Sequence, residues 1–187
     1  MRSEKEKMIA GELYNPQDPE LVAERLRARS LMAQINSSTD PLRREELMRA
    51  LFAKTGEKFL FEPPFYCDYG YNISIGERVY ANVGCVFLDG TRIIIGNDVL
   101  FAPYVQLYTA THPLDWRLRD RGLEIAEPIT IGNHVWLGGN TVVCPGVTIG
   151  DHSVIGAGSV VTKDIPPGVL AVGNPARVIR EIDPQKE

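Results

Sequence analysis

The side chain best suited to acid–base chemistry is that of His112, which follows Tyr108-Thr109-Ala110-Thr111 and precedes Pro113. An imidazole titrates near neutral pH, so it can act as a general base that removes a proton from an attacking hydroxyl group. A histidine in a flexible surface loop, without a chemical role, is an equally compatible interpretation. The sequence therefore nominates His112 as a candidate base and leaves both alternatives open.

A second kind of chemistry is suggested by His134 and His152, which are eighteen residues apart. In a fold whose backbone returns every eighteen residues, their side chains would stack on one edge. With a third ligand from a neighbouring subunit they could hold a zinc ion, as in the γ-class carbonic anhydrases. We expect instead an exposed, stacked pair without a metal, because only three histidines are present and one of them stands elsewhere.

Four polar residues could contact a ligand. Asn82 could donate a hydrogen bond to a developing oxyanion, although asparagine is also a common turn residue. Asp68 and Asp89 could accept hydrogen bonds from ligand hydroxyls or simply be turn acids. Asp18 precedes Pro19-Glu20, and this pattern favours a helix N-cap.

Three cations stand near the C-terminal end, at Lys163, Arg177 and Arg180, and Thr162 is next to the first. Such a group suits the phosphates of a nucleotide-containing cofactor, and a solvated edge without a ligand is the alternative. Gly156-Ala157-Gly158 is not a dinucleotide-binding fingerprint, because no strand-to-helix transition follows it.

A six-residue period positions these candidates. Aliphatic residues recur at every sixth position, glycine often follows them, and the fifth position of each repeat is small or β-branched. The aliphatic positions are Ile131, Leu137, Val143, Ile149, Ile155 and Val161. Each repeat would form a short strand and a turn, and three repeats would close a triangular coil. The pattern predicts a mainly β protein, a parallel β-helix of hexapeptide repeats.

The period is interrupted twice. An earlier run includes Ile75, Ile95, Phe101 and Leu107, but residues 89–92 shift its register by two positions. Between Leu107 and Ile131 the period is lost, so we predict a loop excursion over about 109–127 that carries His112. Loops that project from a rigid scaffold often carry function.

Two amphipathic helices are predicted before the repeats. The first starts at Asp18-Pro19-Glu20, runs to about Asn36 and has Val22, Leu26 and Leu31 among its apolar positions. The second starts at Asp40-Pro41 and ends at Gly56. We expect residues 1–58 to be a helical segment that packs on a β-helix domain of residues 59–187.

Composition excludes several classes of protein. Twenty basic and 24 acidic residues give a formal net charge of −4, which argues against a general nucleic-acid binder. No apolar run of about eighteen residues is present, so no membrane span is predicted, and we expect a cytoplasmic protein. Cys67, Cys85 and Cys144 form no C-x-x-C pair, and we expect them to be buried apolar residues.

The chain resembles the maltose and galactoside O-acetyltransferases over nearly its full length. Beyond the repeats, the resemblance is carried by residues 4–14, 25–29, 67–73, 108–113 and 161–164. It implies a left-handed coil, a trimer with active sites between subunits, and transfer of an acetyl group from acetyl-CoA to a sugar hydroxyl without a metal. A metal-dependent hydration enzyme and a non-enzymatic scaffold are the alternatives.

The resemblance also implies roles for individual residues. His112 would be the catalytic base, Asn82 would assist the transition state, and Asp18, Asp68 and Asp89 would line the acceptor pocket. Gly90 stands where the galactoside type has a second acid, which leaves the identity of the sugar open. The residues implied for acetyl-CoA are Gly139, Ala157, Thr162, Lys163, Arg177 and Arg180, with Trp136 nearby.

Overall fold

Short strands stacked in parallel coils form most of the protein, whose computed structural model describes residues 2–183 and 185. Within these residues, the strands in chain order are β1 (Phe59–Phe61), β2 (Tyr66–Cys67), β3 (Ile73–Ile75), β4 (Val79–Ala81), β5 (Val86–Leu88), β6 (Ile93–Ile95), β7 (Leu100–Phe101), β8 (Gln106–Tyr108), β9 (Ala110–Thr111), β10 (Ile125–Ala126), β11 (Ile129–Ile131), β12 (Trp136–Leu137), β13 (Val142–Val143), β14 (Thr148–Ile149), β15 (Val154–Ile155), β16 (Val160–Val161), β17 (Val169–Gly173) and β18 (Ala176–Glu181).

The strands form the three faces of a prism. The seven-strand face has the order β1-β4-β7-β12-β15-β17-β18, the five-strand face β2-β5-β8-β13-β16, and the four-strand face β3-β6-β11-β14. Successive strands of one coil belong to successive faces, and each pairs in parallel with the strand of the next coil. Val142, for example, pairs with Val160. The predicted fold class, a parallel β-helix of hexapeptide repeats, is therefore confirmed.

The six-residue period defines the core. All six aliphatic positions between Ile131 and Val161 are buried, and so are the small fifth-position residues such as Thr141, Ser153 and Ser159. The hydroxyls of Thr141 and Ser159 donate to the carbonyl groups of Gly138 and Gly156, so these polar atoms are satisfied inside the turns. Burial of one aliphatic layer on the next supplies the apolar stabilisation of the coil.

The predicted excursion leaves the coil after β8 and returns at β11. It contains the antiparallel pair β9 and β10 and one short helix, α4 (Trp116–Arg119). On its return, Ile129 pairs directly with Ile93 of the preceding coil, as an uninterrupted repeat would. The excursion therefore adds a structure outside the prism without changing the register inside it.

Three helices precede the coils, where two were predicted. They are α1 (Glu4–Ala10), α2 (Pro19–Ser37) and α3 (Pro41–Leu51). The unpredicted α1 begins with a capping box, in which Ser3 and Glu6 bond each other's backbone N–H groups. Asp18 and Asp40 cap the other two helices as predicted. None of the helices in the described residues is long and apolar enough to cross a membrane.

Two details of the predicted helices were wrong. The second ends at Leu51 and not at Gly56, because the backbone is already extended at Phe52. Leu26 is 57% exposed, and α2 instead buries Leu21, Ala28, Met32 and Ile35. Ala28, Met32 and Ile35 pack with α3 over the first coils, and Phe52 after α3 contacts Phe65 of the coils edge to face.

The register break at residues 89–92 contains a buried carboxylate. Asp89 is 0% exposed, and its two oxygens accept hydrogen bonds from the backbone N–H groups of Asp68, Tyr69 and Asn72. Burial raises the pKa of Asp89 to about 7 from its ordinary value of 3.8, although the backbone N–H groups of Tyr69 and Asn72 oppose the rise.

This carboxyl predicts a pH dependence of stability. Between the two pKa values the folded protein binds the proton and the unfolded chain does not, so the free energy of unfolding falls as pH rises. Asp89 should contribute a fall of up to about 1.4 kcal/mol per pH unit between about pH 4 and pH 7. Asp89→Asn should remove this contribution, whereas the exposed Asp120→Asn should retain it. Urea denaturation at fixed protein concentration measures the slope, and equal slopes in both variants would contradict the prediction.

Candidate active site

A cleft of about 340 Å³ opens at the corner between the five-strand and four-strand faces, which we call the His112 corner. Its lining is polar and includes two arginines, two carboxylates and one histidine. The lining residues are Tyr14, Pro16, Gln17, Arg25, Arg29, Asp68, Tyr69, Leu88, Ala110, Thr111, His112 and Glu124.

Three consecutive coils depart from the six-residue period at this corner. The departing turns follow β2, β5 and β8, and they comprise residues 68–72, 89–92 and 109–128. Hydrogen bonds join them vertically: Asp89 holds the turn below it, and the hydroxyl of Thr109 donates to the carbonyl of Leu88. The cleft is thus built where the repeat is interrupted, which is where the sequence placed the candidate base.

The orientation of His112 is fixed by one hydrogen bond. Its Nδ1 lies 3.2 Å from the carbonyl oxygen of Leu123, which can only accept. Nδ1 therefore carries the proton in the neutral ring, and Nε2 retains the lone pair. The side chain is 53% exposed, so Nε2 can be reached by a ligand in the cleft.

A carboxylate approaches the free nitrogen of His112. Glu124 Oε1 is 3.9 Å from Nε2, and Oε2 accepts a 2.6 Å hydrogen bond from the hydroxyl of Tyr14. The backbones of Tyr14 and Glu124 also exchange two hydrogen bonds of 3.1 Å. Burial and the neighbouring Glu124 raise the pKa of Tyr14, so its hydroxyl remains a donor. The N-terminal segment thereby holds the carboxylate beside the histidine.

Asp68 presents a carboxylate to the cleft without a partner in the part of the chain that the structure describes, since its only hydrogen bond is made by its backbone N–H. Burial, and to a smaller extent Glu124, raise the pKa of Asp68, while Arg25 and Arg29 lower it. Arg25 donates to the hydroxyl of Tyr69 and to the carbonyl of Pro16, so its position is fixed. With Arg29, the cleft lining carries two arginines and two carboxylic acids.

The other two predicted acceptor acids are not among the cleft lining. Asp18 accepts a 3.0 Å hydrogen bond from the backbone N–H of Glu20 as the cap of α2, and its neighbours Pro16 and Gln17 face the cleft instead. Asp89 is buried beneath the cleft, with both oxygens bonded to backbone N–H groups. The geometry of both residues favours the cap and turn interpretations.

Asn82 lies at a different corner, between the seven-strand and five-strand faces, which we call the Asn82 corner. It precedes β5, whereas His112 follows β8, so the two side chains stand at opposite ends of the five-strand face. Asn82 Oδ1 accepts a 2.8 Å hydrogen bond from the N–H of Val83, which leaves its amide nitrogen as a donor. A single chain therefore does not bring Asn82 and His112 together.

The residues predicted for acetyl-CoA also divide between the corners. At the Asn82 corner, the carbonyl groups of Val83, Pro103 and Gly139 accept hydrogen bonds from the N–H groups of the next coil, donated by Tyr104, Asn140 and Gly158, and Ala157 precedes Gly158. Thr162 and Lys163 follow β16 and so lie at the His112 corner.

The remaining predicted acetyl-CoA residues lie beyond these two corners. Trp136, 51% exposed on the seven-strand face, shares a hollow of about 200 Å³ with Arg180, and Arg177 is on the same final strand, β18.

His134 and His152 lie at the third corner, away from the cleft. Their rings are stacked with centroids 4.9 Å apart and an angle of 8° between the planes, as the eighteen-residue spacing predicted. Both residues have positive φ angles, which place them in the tight turn of the repeat. Among the described residues, no three histidine, cysteine or acidic side chains are grouped so as to hold a metal ion, and the hydration alternative is not favoured.

Sequence reasoning assigned no role to four charged or polar residues of the cleft, Tyr14, Arg25, Arg29 and Glu124. Arg25 and Arg29 are four residues apart on α2, a spacing that puts both on one helix face. The sequence alone therefore indicated that these two arginines share a surface. Tyr14 and Glu124 are 110 residues apart, and no local pattern indicates that they meet.

Comparisons with known proteins agree with this architecture. Residues 7–56 match the maltose acetyltransferase hexapeptide capping motif, and residues 128–163 match the bacterial transferase hexapeptide family. Nodulation protein L of Rhizobium meliloti is 49% identical over 179 residues, which cover 95% of this chain and 98% of that protein.

Two solved structures are similar over almost their whole length. A maltose O-acetyltransferase from Clostridium difficile 630 has a TM-score of 0.96 and 49% identity, covering 97% of this chain and 98% of its own. A galactoside acetyltransferase in complex with coenzyme A has a TM-score of 0.95 and 46% identity, covering 99% and 94%. The resemblance stated from the sequence is confirmed, and this chain belongs to the maltose and galactoside O-acetyltransferase family of hexapeptide-repeat acetyltransferases.

Proposed function

We propose that this acetyltransferase moves an acetyl group from acetyl-CoA to a hydroxyl group of a sugar, with His112 as the general base. The observation that carries the proposal is the hydrogen bond from Nδ1 of His112 to Leu123, which leaves Nε2 as the basic nitrogen inside a polar cleft. A base in this state can accept the proton of an acceptor hydroxyl. The coenzyme A complex of the galactoside relative supports acetyl-CoA as the donor.

The cleft is suited to an uncharged polyol. Arg25 and Arg29 balance Asp68 and Glu124, so the lining has no net charge when His112 is neutral. The free carboxylate of Asp68 accepts hydrogen bonds from hydroxyl groups, and Arg29 can donate to hydroxyl oxygens. A sugar of the maltose, glucose or galactoside type satisfies both groups, and the names of the relatives point to the same class.

The reaction is a direct transfer. The acceptor oxygen loses its proton to Nε2 of His112 and attacks the thioester carbonyl carbon. The carbon–sulfur bond then breaks, and the coenzyme A sulfur takes the proton from the imidazolium. Asn82 of a neighbouring copy uses its free amide N–H to stabilise the negative charge that develops on the carbonyl oxygen.

Glu124 assists this cycle through its charge. When Nε2 accepts the proton, the imidazolium stands beside the Glu124 carboxylate, and their attraction stabilises the protonated ring. Tyr14 keeps the carboxylate in place from the other side. Glu124 is therefore a positioning and electrostatic partner of the base.

A covalent acetyl-cysteine is not needed. Burial raises the pKa of Cys67 and of Cys144, and it raises the pKa of Cys85 to about 11, so the reactive thiolate is disfavoured at each position. None of the three lines the cleft. The base acts on the acceptor hydroxyl itself.

The active site is completed between two copies of the chain. Asn82, Gly139 and Ala157 belong to one corner of the prism and His112 to another, so a copy that offers its Asn82 corner to the His112 corner of its neighbour assembles all of them. A closed trimer repeats this contact three times. Acetyl-CoA would then lie between copies, against Gly139 and Ala157, with its phosphates toward Thr162, Lys163, Arg177 and Arg180 and with Trp136 alongside.

Purified protein should release coenzyme A from acetyl-CoA only when a suitable sugar is present. His112→Ala should lower kcat by about 10²–10⁴-fold, because proton removal is lost. Coenzyme A release with a panel of maltose, glucose and galactosides measures this effect. His134→Ala and His152→Ala are the matched controls, and near-normal turnover of His112→Ala would contradict the assignment of the base.

Glu124→Gln should lower kcat about fivefold to tenfold, since it keeps the hydrogen bond to Tyr14 but removes the charge beside the imidazolium. Glu127→Gln is the control, because Glu127 lies on the same excursion but outside the cleft lining. Initial rates at saturating acetyl-CoA and acceptor compare the two variants. Equal effects of the two substitutions would refute the role of Glu124.

If each active site is shared between two copies of the chain, two different inactive variants should restore each other's activity. His112→Ala and Asn82→Ala homotrimers should each be impaired, but mixed trimers should regain up to about a third of wild-type activity, since one of their three interfaces combines two intact residues. Mixed oligomers carrying two different affinity tags can be isolated and assayed. Activity no higher than the mean of the two parents would place the whole site within one chain.

A further inference from the structure

We infer that Asp89 is a positioning residue for the acceptor, which holds the turn of residues 68–72 so that Asp68 faces the cleft. This inference rests on the proposed function, in which Asp68 contacts the acceptor. It assigns Asp89 an action through the backbone in place of direct contact with the sugar. Three observations support it: the hydrogen bonds of the Asp89 carboxylate, the place of the turn in the cleft lining, and the Asp68 carboxylate, which accepts no hydrogen bond from the described residues.

The carboxylate of Asp89 is fully committed to the turn. Oδ1 accepts from the N–H of Asp68 at 3.0 Å and of Tyr69 at 2.8 Å, and Oδ2 accepts from the N–H of Asn72 at 3.2 Å. The backbone carbonyl of Asp89 accepts a further bond of 2.8 Å from the side-chain amide of Asn72. Asp89 forms no ion pair with any residue that the structure describes, and its exposure is 0%. No surface of the side chain remains for an acceptor.

The held turn carries two residues of the cleft. Asp68 and Tyr69 both line it, and Tyr69 receives the hydrogen bond that fixes Arg25. The carboxylate of Asp68 accepts no hydrogen bond from the described residues, and Arg25 and Arg29 act on it only through their charge, so the backbone of the turn sets where the side chain starts. Anchoring the N–H groups of residues 68 and 69 therefore sets the position of the free carboxylate relative to His112.

A carboxylate is the side chain that this turn requires. Both oxygens of Asp89 accept, one from two N–H groups and the other from a third. An asparagine of the same shape keeps the pair of bonds on its oxygen but directs its amide N–H₂ toward the N–H of Asn72. Asp89→Asn therefore releases one anchor of the turn while it leaves the volume of the side chain unchanged.

The decisive experiment is a double-mutant cycle of Asp89→Asn and Asp68→Asn. At pH 8, above the pKa of Asp89, Asp89→Asn alone should raise the KM for the acceptor about tenfold and change the KM for acetyl-CoA less than about twofold. In the Asp68→Asn background, Asp89→Asn should add less than about twofold, because its effect passes through Asp68. Full additivity of the two effects, or an unchanged acceptor KM in Asp89→Asn, would overturn the inference. The acceptor used is the best sugar of the panel of maltose, glucose and galactosides.

A second variant covers the case in which Asp89→Asn does not fold. Asn72→Ala removes the side-chain hydrogen bond to the carbonyl of Asp89 and leaves the buried carboxylate in place. It should raise the acceptor KM in the same direction by a smaller factor, and that rise should also disappear in the Asp68→Asn background. A rise in the KM for acetyl-CoA of equal size would overturn the inference.

Amide hydrogen exchange tests the inference without any assay of activity. In Asp89→Asn, or in Asn72→Ala, protection should be lost at residues 68–72 and retained in β11 and β13. Loss of protection throughout the coils would show a general structural role and overturn the inference. If the wild type acetylates no sugar, the proposed function fails. The exchange measurement is independent of that result, because a loss of protection confined to residues 68–72 still shows that Asp89 holds the turn.

Discussion

The hydrogen bonds between successive coils are the constraint on which the rest of the structure depends. The strands of the prism pair with strands of the neighbouring coils, so a segment that leaves the coil must return in register or leave backbone groups unpaired. The excursion of residues 109–128 satisfies this condition, because Ile129 pairs with Ile93 across the interruption. The scaffold can therefore carry a long insertion at a corner without any change in its core.

The same constraint explains why the candidate cleft lies at a corner. Inward positions are filled by aliphatic layers, and the backbone between them is bonded to neighbouring coils. At the regular corners, the tight turn fixes its residues as well: Asp98, His134 and His152 all have positive φ angles. The stacking of His134 on His152 follows from the repeat and needs no ligand. At the His112 corner the repeat is broken in three coils in succession, and side chains there are free to converge on a cleft.

The sequence predicted the parts of the fold that are periodic or that have local signals. The spacing of Ile131, Leu137 and Val143 predicted the core, and Asp18 and Asp40 predicted two helix starts. The capping box of α1 is also a local signal, carried by Ser3 and Glu6. Leu26 was assigned to the wrong face because α2 is only weakly amphipathic, so its buried face is selected by contact with the first coils and not by its own pattern.

The candidate site was less predictable, since its decisive contacts join distant segments. Glu124 acquires its place beside His112 from Tyr14, and Asp89 acts on a turn that lies about one coil earlier in the chain. Composition and spacing can nominate Asp89 as a polar residue at a break, but they cannot separate a buried anchor from a ligand contact.

Burial of Asp89 opposes its ionised state, and a pKa of about 7 records that cost. An ionised group at this buried position does not add to the apolar stabilisation of the core. The arrangement is explained if the turn that Asp89 anchors must present Asp68 in one direction, so that a buried acid supports the cleft without entering it.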